Sequence, residues 1–496
     1  MTVNPKVNPK KLRPYDEPPK RRRSLIPSAP DSATIGFLVA AVLWLALAAG
    51  IGVLAAYVRF APFEVIYPLG FFGLNLEFNA ARVDQAFMNA VVYGWLTNAG
   101  FAAATFIAPR LSGRRLVAEP ILVLAILLWN GAVFGGIAAL YVFDSGPNSA
   151  LTAFPWFVQG GLATGSLIVA LAFVATVAPA IRSAYVSLWF AGIGLLSLAG
   201  LTGLSAAMGL VDFVIGLDDA IVALGSLFIG TAVILMWLLP MAYAVLYYLV
   251  PLVAGRPLES SGLAALAFVA WLLVAPVASL SLVVDTRIPF FVTSLAGAAT
   301  IALLLPAALT VVNLVLTVRG RWQLFFGTGP VAFAAVAMAF LLASGMLDAI
   351  GTLPSVRGFV GGTDWGRGVL VWNLLGMMTL AALAFIAHAL PRVLRRDWGS
   401  TPLSAAQLWC VFAGATIAGV ALMGAGMAEG SFRAQGANAE ALAAGLYGYQ
   451  LVAFAGFGLV AVGGLAALVN VFMAYTTGEP ADYIVPGQAT AAATGH

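Results

Sequence analysis

The chain has 496 residues, of which 62% are hydrophobic and 9% charged, with a mean hydropathy of +0.99. No water-soluble core of this length carries that composition, so soluble enzymes and soluble binding modules are excluded. The formal net charge is +4 and the chain has two histidines, His388 and His496, so little ionisable chemistry is available.

Residues 1–33 read as a basic, Pro-rich arm containing the run Lys20-Arg21-Arg22-Arg23. They are expected to carry no cleavable signal, because the first apolar run is of full membrane-spanning length. Residues 34–477 then hold twelve apolar stretches, centred near Leu45, Trp95, Leu127, Leu167, Leu195, Leu235, Trp271, Leu303, Ala337, Leu375, Thr416 and Phe457. Each is long enough to cross a bilayer, which takes roughly 20 residues at about 1.5 Å per residue. Backbone groups in lipid must be satisfied within the segment, so the stretches are predicted to be helices. The 53 glycines and abundant alanines suit close helix–helix packing. The longest connections fall between spans 1 and 2 and between spans 9 and 10. Residues 478–496 form a small polar tail predicted to be flexible. The expected fold is therefore an all-α integral membrane bundle of twelve helices.

The basic residues orient it. Alternating sides through twelve spans places 18 of the 24 Lys and Arg residues on the side of the termini, leaving Arg59, Arg82, Arg287, Arg357, Arg367 and Arg433 opposite. Both termini are predicted to be cytoplasmic. The same bias explains the basic arm by topology and leaves no need for a nucleic-acid partner. Cys410, the one cysteine, rules out a disulfide within the chain and reads as a buried thiol. Trp156, Tyr243, Trp271 and Trp322 near span ends read as an interfacial belt. Asn130, Asn313, Asn373 and Gln159 read as hydrogen-bonding groups between helices.

Four segments carry a family pattern. Span 2 opens with Arg82-Val83-Asp84-Gln85-Ala86-Phe87-Met88-Asn89-Ala90-Val91-Val92-Tyr93-Gly94. This resembles Arg-x-x-x-x-His-x-Asn-Ala-x-x-Phe-Gly of subunit I of heme–copper oxidases, in particular the cbb-type and its nitric oxide reductase relatives. Span 6 ends Leu246-Tyr247-Tyr248-Leu249-Val250-Pro251, similar to the family's Tyr-Tyr-x-x-Pro, which places the first copper-ligand position near Thr231. Span 7 contains Ala275-Pro276-Val277-Ala278, similar to Gly-Pro-His-His. Span 10 opens Thr363-Asp364-Trp365-Gly366-Arg367-Gly368-Val369-Leu370-Val371, similar to Thr-Asp-Trp-x-x-Gly-His-x-His.

The resemblance implies a heme–copper oxidase subunit I-like bundle in a bacterial cytoplasmic membrane, and it implies six histidine ligands for two hemes and a copper. In this chain those six positions hold Phe87, Thr231, Val277, Ala278, Val369 and Val371. Five of these side chains are hydrocarbon, and heme iron and copper need imidazole, thiolate, thioether or phenolate donors. His388 lies 17 to 19 residues beyond Val369 and Val371 and is expected at the opposite end of span 10, beside Arg392. Met88, Met208, Met236, Met241, Met377 and Met378 offer thioethers but no histidine partner, so they read as core filler. The expectation is a subunit without heme or copper, whose helices close over the space a porphyrin would take, with lipid or quinone filling any remainder.

Such a subunit would scaffold a larger respiratory or electron-transfer complex among other membrane subunits, with c-type cytochrome or iron–sulfur partners. The acidic excess on the face opposite the termini could attract a basic partner, although loops that merely lack Lys and Arg give the same balance. One alternative is an active cbb-type oxidase or nitric oxide reductase subunit with non-standard ligands. A second is a transporter, which the scarcity of intramembrane charge and of internal repeats disfavours.

Overall fold

The computed structural model describes residues 30–69, 74–143, 149–282 and 288–480. Lys20 to Arg23, Asp144, Asp285, Arg287 and His496 lie outside them. All twelve expected spans are present as helices: α1 (Ser32–Phe60), α2 (Ala80–Ser112), α3 (Glu119–Leu140), α4 (Trp156–Ser183), α5 (Val186–Ile215), α6 (Asp219–Ala254), α7 (Ser261–Ala278), α8 (Phe290–Thr317), α9 (Pro330–Thr352), α10 (Asp364–Leu394), α11 (Thr401–Ala434) and α12 (Ala439–Thr476). The start of α1 and the end of α12 share one end of the bundle. The other is called the far end below.

Helix α2 runs through the centre of the bundle, enclosed on all sides, and α10 is nearly so; α3, α5 and α7 lie at the perimeter with apolar faces turned outward. The central helices are tied by indole and amide hydrogen bonds. Trp95 Nε1 donates to Thr379 Oγ1 at 3.0 Å, and Trp237 Nε1 donates to Thr97 Oγ1 at 2.9 Å. Trp44 Nε1 donates to Asn130 Oδ1 at 2.7 Å, where the Asn98 amide also donates at 3.0 Å. Among hydrocarbon neighbours such pairs are worth roughly 0.6–2 kcal/mol each and fix helix rotation.

Small residues bring α11 and α12 into backbone contact. A Cβ at Gly414 would lie 2.6 Å from the Gly456 carbonyl oxygen, and one at Gly456 would lie 2.5 Å from Ala418 N. No other residue type fits at either place without separating the helices.

Several local expectations are corrected. The long connection between α1 and α2 adds two strands to a fold expected to be all-α: Val65–Leu69 and Leu74–Phe78 pair as an antiparallel hairpin with Val65 opposite Phe78, and Glu77 N donates to Tyr141 O at 2.8 Å. Tyr243 and Trp271 are core residues rather than interfacial ones, each 1% exposed, because they pack against Phe190 on α5. Trp156 and Trp322 are partly exposed, as a belt requires. Cys410 is half-buried, not enclosed. His388 does lie at the termini end, but it faces no headgroup region. Its ring is buried edge-on against Phe106 and Tyr248, and neither nitrogen meets a protein partner.

Candidate functional site

Each of the three helices that carry a motif followed into the membrane contains one π-helical stretch. These are Ala90–Leu96 in α2, Ile234–Leu238 in α6 and Trp372–Met378 in α10. A π turn inserts an extra residue and shifts the faces that follow it. The stretches begin three residues after Phe87, three after Thr231 and one after Val371, so the four positions on these helices, Val369 included, sit on the far-end side of each insertion. Nothing in composition or hydrophobic spacing marks them.

The retained motif residues have structural work of their own. Asn89 donates to Gln85 O at 2.8 Å and to Ala150 O at 2.7 Å, and the Tyr93 hydroxyl donates to Leu151 O at 3.1 Å. Together they pin the α3–α4 connection onto α2. Gly94 lies under the Trp44 ring, where a Cβ would come within 2.6 Å of Cδ2. Thr363 caps α10 by accepting from Trp365 N at 3.3 Å, and Gly368 faces the Gly419 carbonyl, 2.6 Å from where a Cβ would lie.

Two ion pairs join these segments at the far end. Arg367 grips Asp84 in a two-pronged fork at 2.8 and 2.6 Å, linking α10 to α2. Arg59 Nη1 donates to both oxygens of Asp364 at 2.8 and 3.0 Å, linking α1 to α10. Asp364 N in turn donates to Glu429 Oε2 on α11 at 3.2 Å.

Beneath them lies a cavity of about 430 Å³, whose walls include Phe87, Thr231, Ile234, Asp348, Leu370 and Val371. Thus three of the six positions line one space. Val277, Ala278 and Val369 do not. Val277 is half-exposed, Ala278 is enclosed at the end of α7, and Val369 is buried. Ser281 and Leu282, just past α7, reach the cavity instead. On the other side of Phe87, toward Trp95 and Val460, a void of only about 10 Å³ remains. There Phe87 packs edge-on against Phe457 at 5.6 Å and fills the hollow left by Gly52. The bundle is thus nearly closed on one side of Phe87 and leaves an open remainder on the other. Valine at 371 and threonine at 231 are too short to span the gap between α6, α9 and α10.

The donor chemistry does not fit a heme or copper centre. Thr231 Oγ1 donates to Leu227 O of its own helix at 2.8 Å, and the other five positions are hydrocarbon. Met88 brings one thioether to the wall without an imidazole opposite. Among the described residues no group of three or more His, Cys, Asp or Glu is placed to hold a metal ion.

Residues 32–464 match the family described as Cytochrome C and Quinol oxidase polypeptide I. The chain is 23% identical over 370 residues to a Cbb3-type cytochrome c oxidase subunit CcoN1 from Stutzerimonas stutzeri, covering 73% of this chain and 75% of that protein. It is 24% identical over 393 residues to a Cytochrome c oxidase subunit 1 from Rhodobacter capsulatus, covering 74% and 71% respectively.

Proposed function

Because the chain belongs to the cytochrome c and quinol oxidase polypeptide I family, we propose that it is a non-catalytic member, free of heme and copper. In this reading it scaffolds a larger electron-transfer complex in a bacterial cytoplasmic membrane. One observation carries the reading: the six positions that the motifs align with metal ligands hold Phe87, Thr231, Val277, Ala278, Val369 and Val371. Losing one ligand weakens a centre. Losing all six removes the bonds that determine where a metal sits. The frame around those positions still has packing and capping roles, which explains how the motifs persist without their histidines.

A scaffold needs partners. The two relatives above are named as oxidase subunits, and this chain would dock other membrane subunits, with heme- or iron–sulfur-bearing chains supplying the redox groups. Purification from native membranes in mild detergent tests the idea. The expected result is a set of other subunits at constant ratio through two chromatographic steps. A monodisperse, partner-free chain would sink the scaffold reading. An active oxidase with non-standard ligands would need a set of donors, and the cavity wall offers the single thioether of Met88 and no imidazole.

A further inference from the structure

The space left open between α6, α9 and α10 has a chemical bias of its own. Most of its wall is hydrocarbon: Ile234, Leu235, Leu370, Val371 and Leu374 face it. Its polar lining includes acceptors whose own protons are committed, beside the Gln450 and Ser281 side chains elsewhere in the wall. Thr231 Oγ1 donates to Leu227 O at 2.8 Å and Thr300 Oγ1 to Ala296 O at 3.0 Å, leaving oxygen lone pairs toward the space. The Asn373 amide donates to Asp348 Oδ2 at 3.2 Å, which leaves Asp348 Oδ1 and Asn373 Oδ1 as acceptors. The two guanidinium groups at the mouth, Arg59 and Arg367, are held by Asp364 and Asp84. Among the described residues no arginine or lysine pairs with Asp348.

We infer that this cavity binds an apolar molecule with a hydrogen-bond-donating head, an amine or a hydroxyl, seated against Asp348 with its hydrocarbon body between α6 and α10. The volume of about 430 Å³ lies within the ~300–1,000 Å³ range of small-molecule sites, which are typically apolar with a few convergent polar groups. A carboxylate head seated there would set a second negative charge against the Asp348 carboxylate in low dielectric. Discrimination against that head therefore comes from the wall. The inference rests on the reading above in one respect, that no porphyrin occupies the space.

The test uses the full chain in phosphatidylcholine vesicles and three photoactivatable dodecyl probes differing only in the head: amine, hydroxyl or carboxylate. Crosslinked peptides are mapped by mass spectrometry. The amine or hydroxyl probe should label α6 and α10 around Ile234 and Leu370 about tenfold more than the carboxylate probe, a ratio that needs about 1.4 kcal/mol of discrimination. Preference for the amine over the hydroxyl points to an amine lipid as the natural source, and equal labelling by the two points to a hydroxyl-bearing molecule. Thr231→Phe, which fills the cavity from α6, should remove this labelling. Ala453→Phe, which fills it from α12, should do the same and guards against one variant failing to fold. Asp348→Asn should narrow any preference for the amine. Equal labelling by all three heads, or labelling that survives both filling variants, would overturn the assignment. Stoichiometric heme in the chain would instead defeat the functional reading, so the two failures are distinguishable.

Discussion

At the residue scale, the ligand position of the span 2 motif is a packing element. Phe87 is 7% exposed, lies over Gly52 and meets Phe457 edge-on, so its ring separates the near-closed void from the open cavity. Phe87→Ala would join the two spaces and remove the aromatic contact. Large-to-small changes of this kind cost about 3 kcal/mol or more when the surroundings cannot collapse. The variant should show a clearly lowered thermal midpoint in detergent, with helix content by circular dichroism unchanged at low temperature. An unchanged midpoint would mean that the ring supports nothing. The residue pattern made this position visible, because Arg82, Asn89 and Gly94 frame it. It could not show that Val277, Ala278 and Val369 face away from the cavity while Ser281 faces it. That depends on where α7 ends and on the π turns, and neither leaves a mark on hydrophobic spacing.

At the element scale, helix existence was legible and helix neighbourhood was not. Long apolar runs announce spans because lipid demands a helix. Which aromatic residues face the core does not follow from their position near a span end, and Tyr243 and Trp271 pack inward against α5. The hairpin between α1 and α2 escaped notice as well: Leu74–Phe78 alternates, but strands of five residues each do not stand out between two spans. The α11–α12 pair offers a sharp test of packing. At Gly456 a side chain would collide with backbone, whereas at Gly458 nothing lies within 4 Å. Gly456→Leu should accumulate poorly in membranes and unfold at lower temperature. Gly458→Leu, the same change two residues on, should behave as the parent does. Equal effects would contradict the close approach.

At the scale of the whole molecule, twelve spans bring the start of α1 and the end of α12 to one end of the bundle, and alternation along the sequence assigns 18 of 24 basic residues to that side. Fusion of a cytoplasm-active fluorescent reporter to either end should give signal, and fusion of a periplasm-active phosphatase should give none. Termini on opposite faces would require an odd number of spans and would reassign every loop. The bundle combines matched ion pairs at the far end, capped helices below them, and a partly filled space lined by three of the six positions, Phe87, Thr231 and Val371. Its membership of an oxidase family describes its shape, while its chemistry rests on the residues at the site.

The account stands on the absence of donors at those six positions, and the most direct measurement is a pyridine-hemochrome spectrum with copper and iron analysis on the purified, isolated chain. No heme and no copper is the predicted result. One or more equivalents of heme per chain would contradict the account and turn attention to Met88 at the cavity wall.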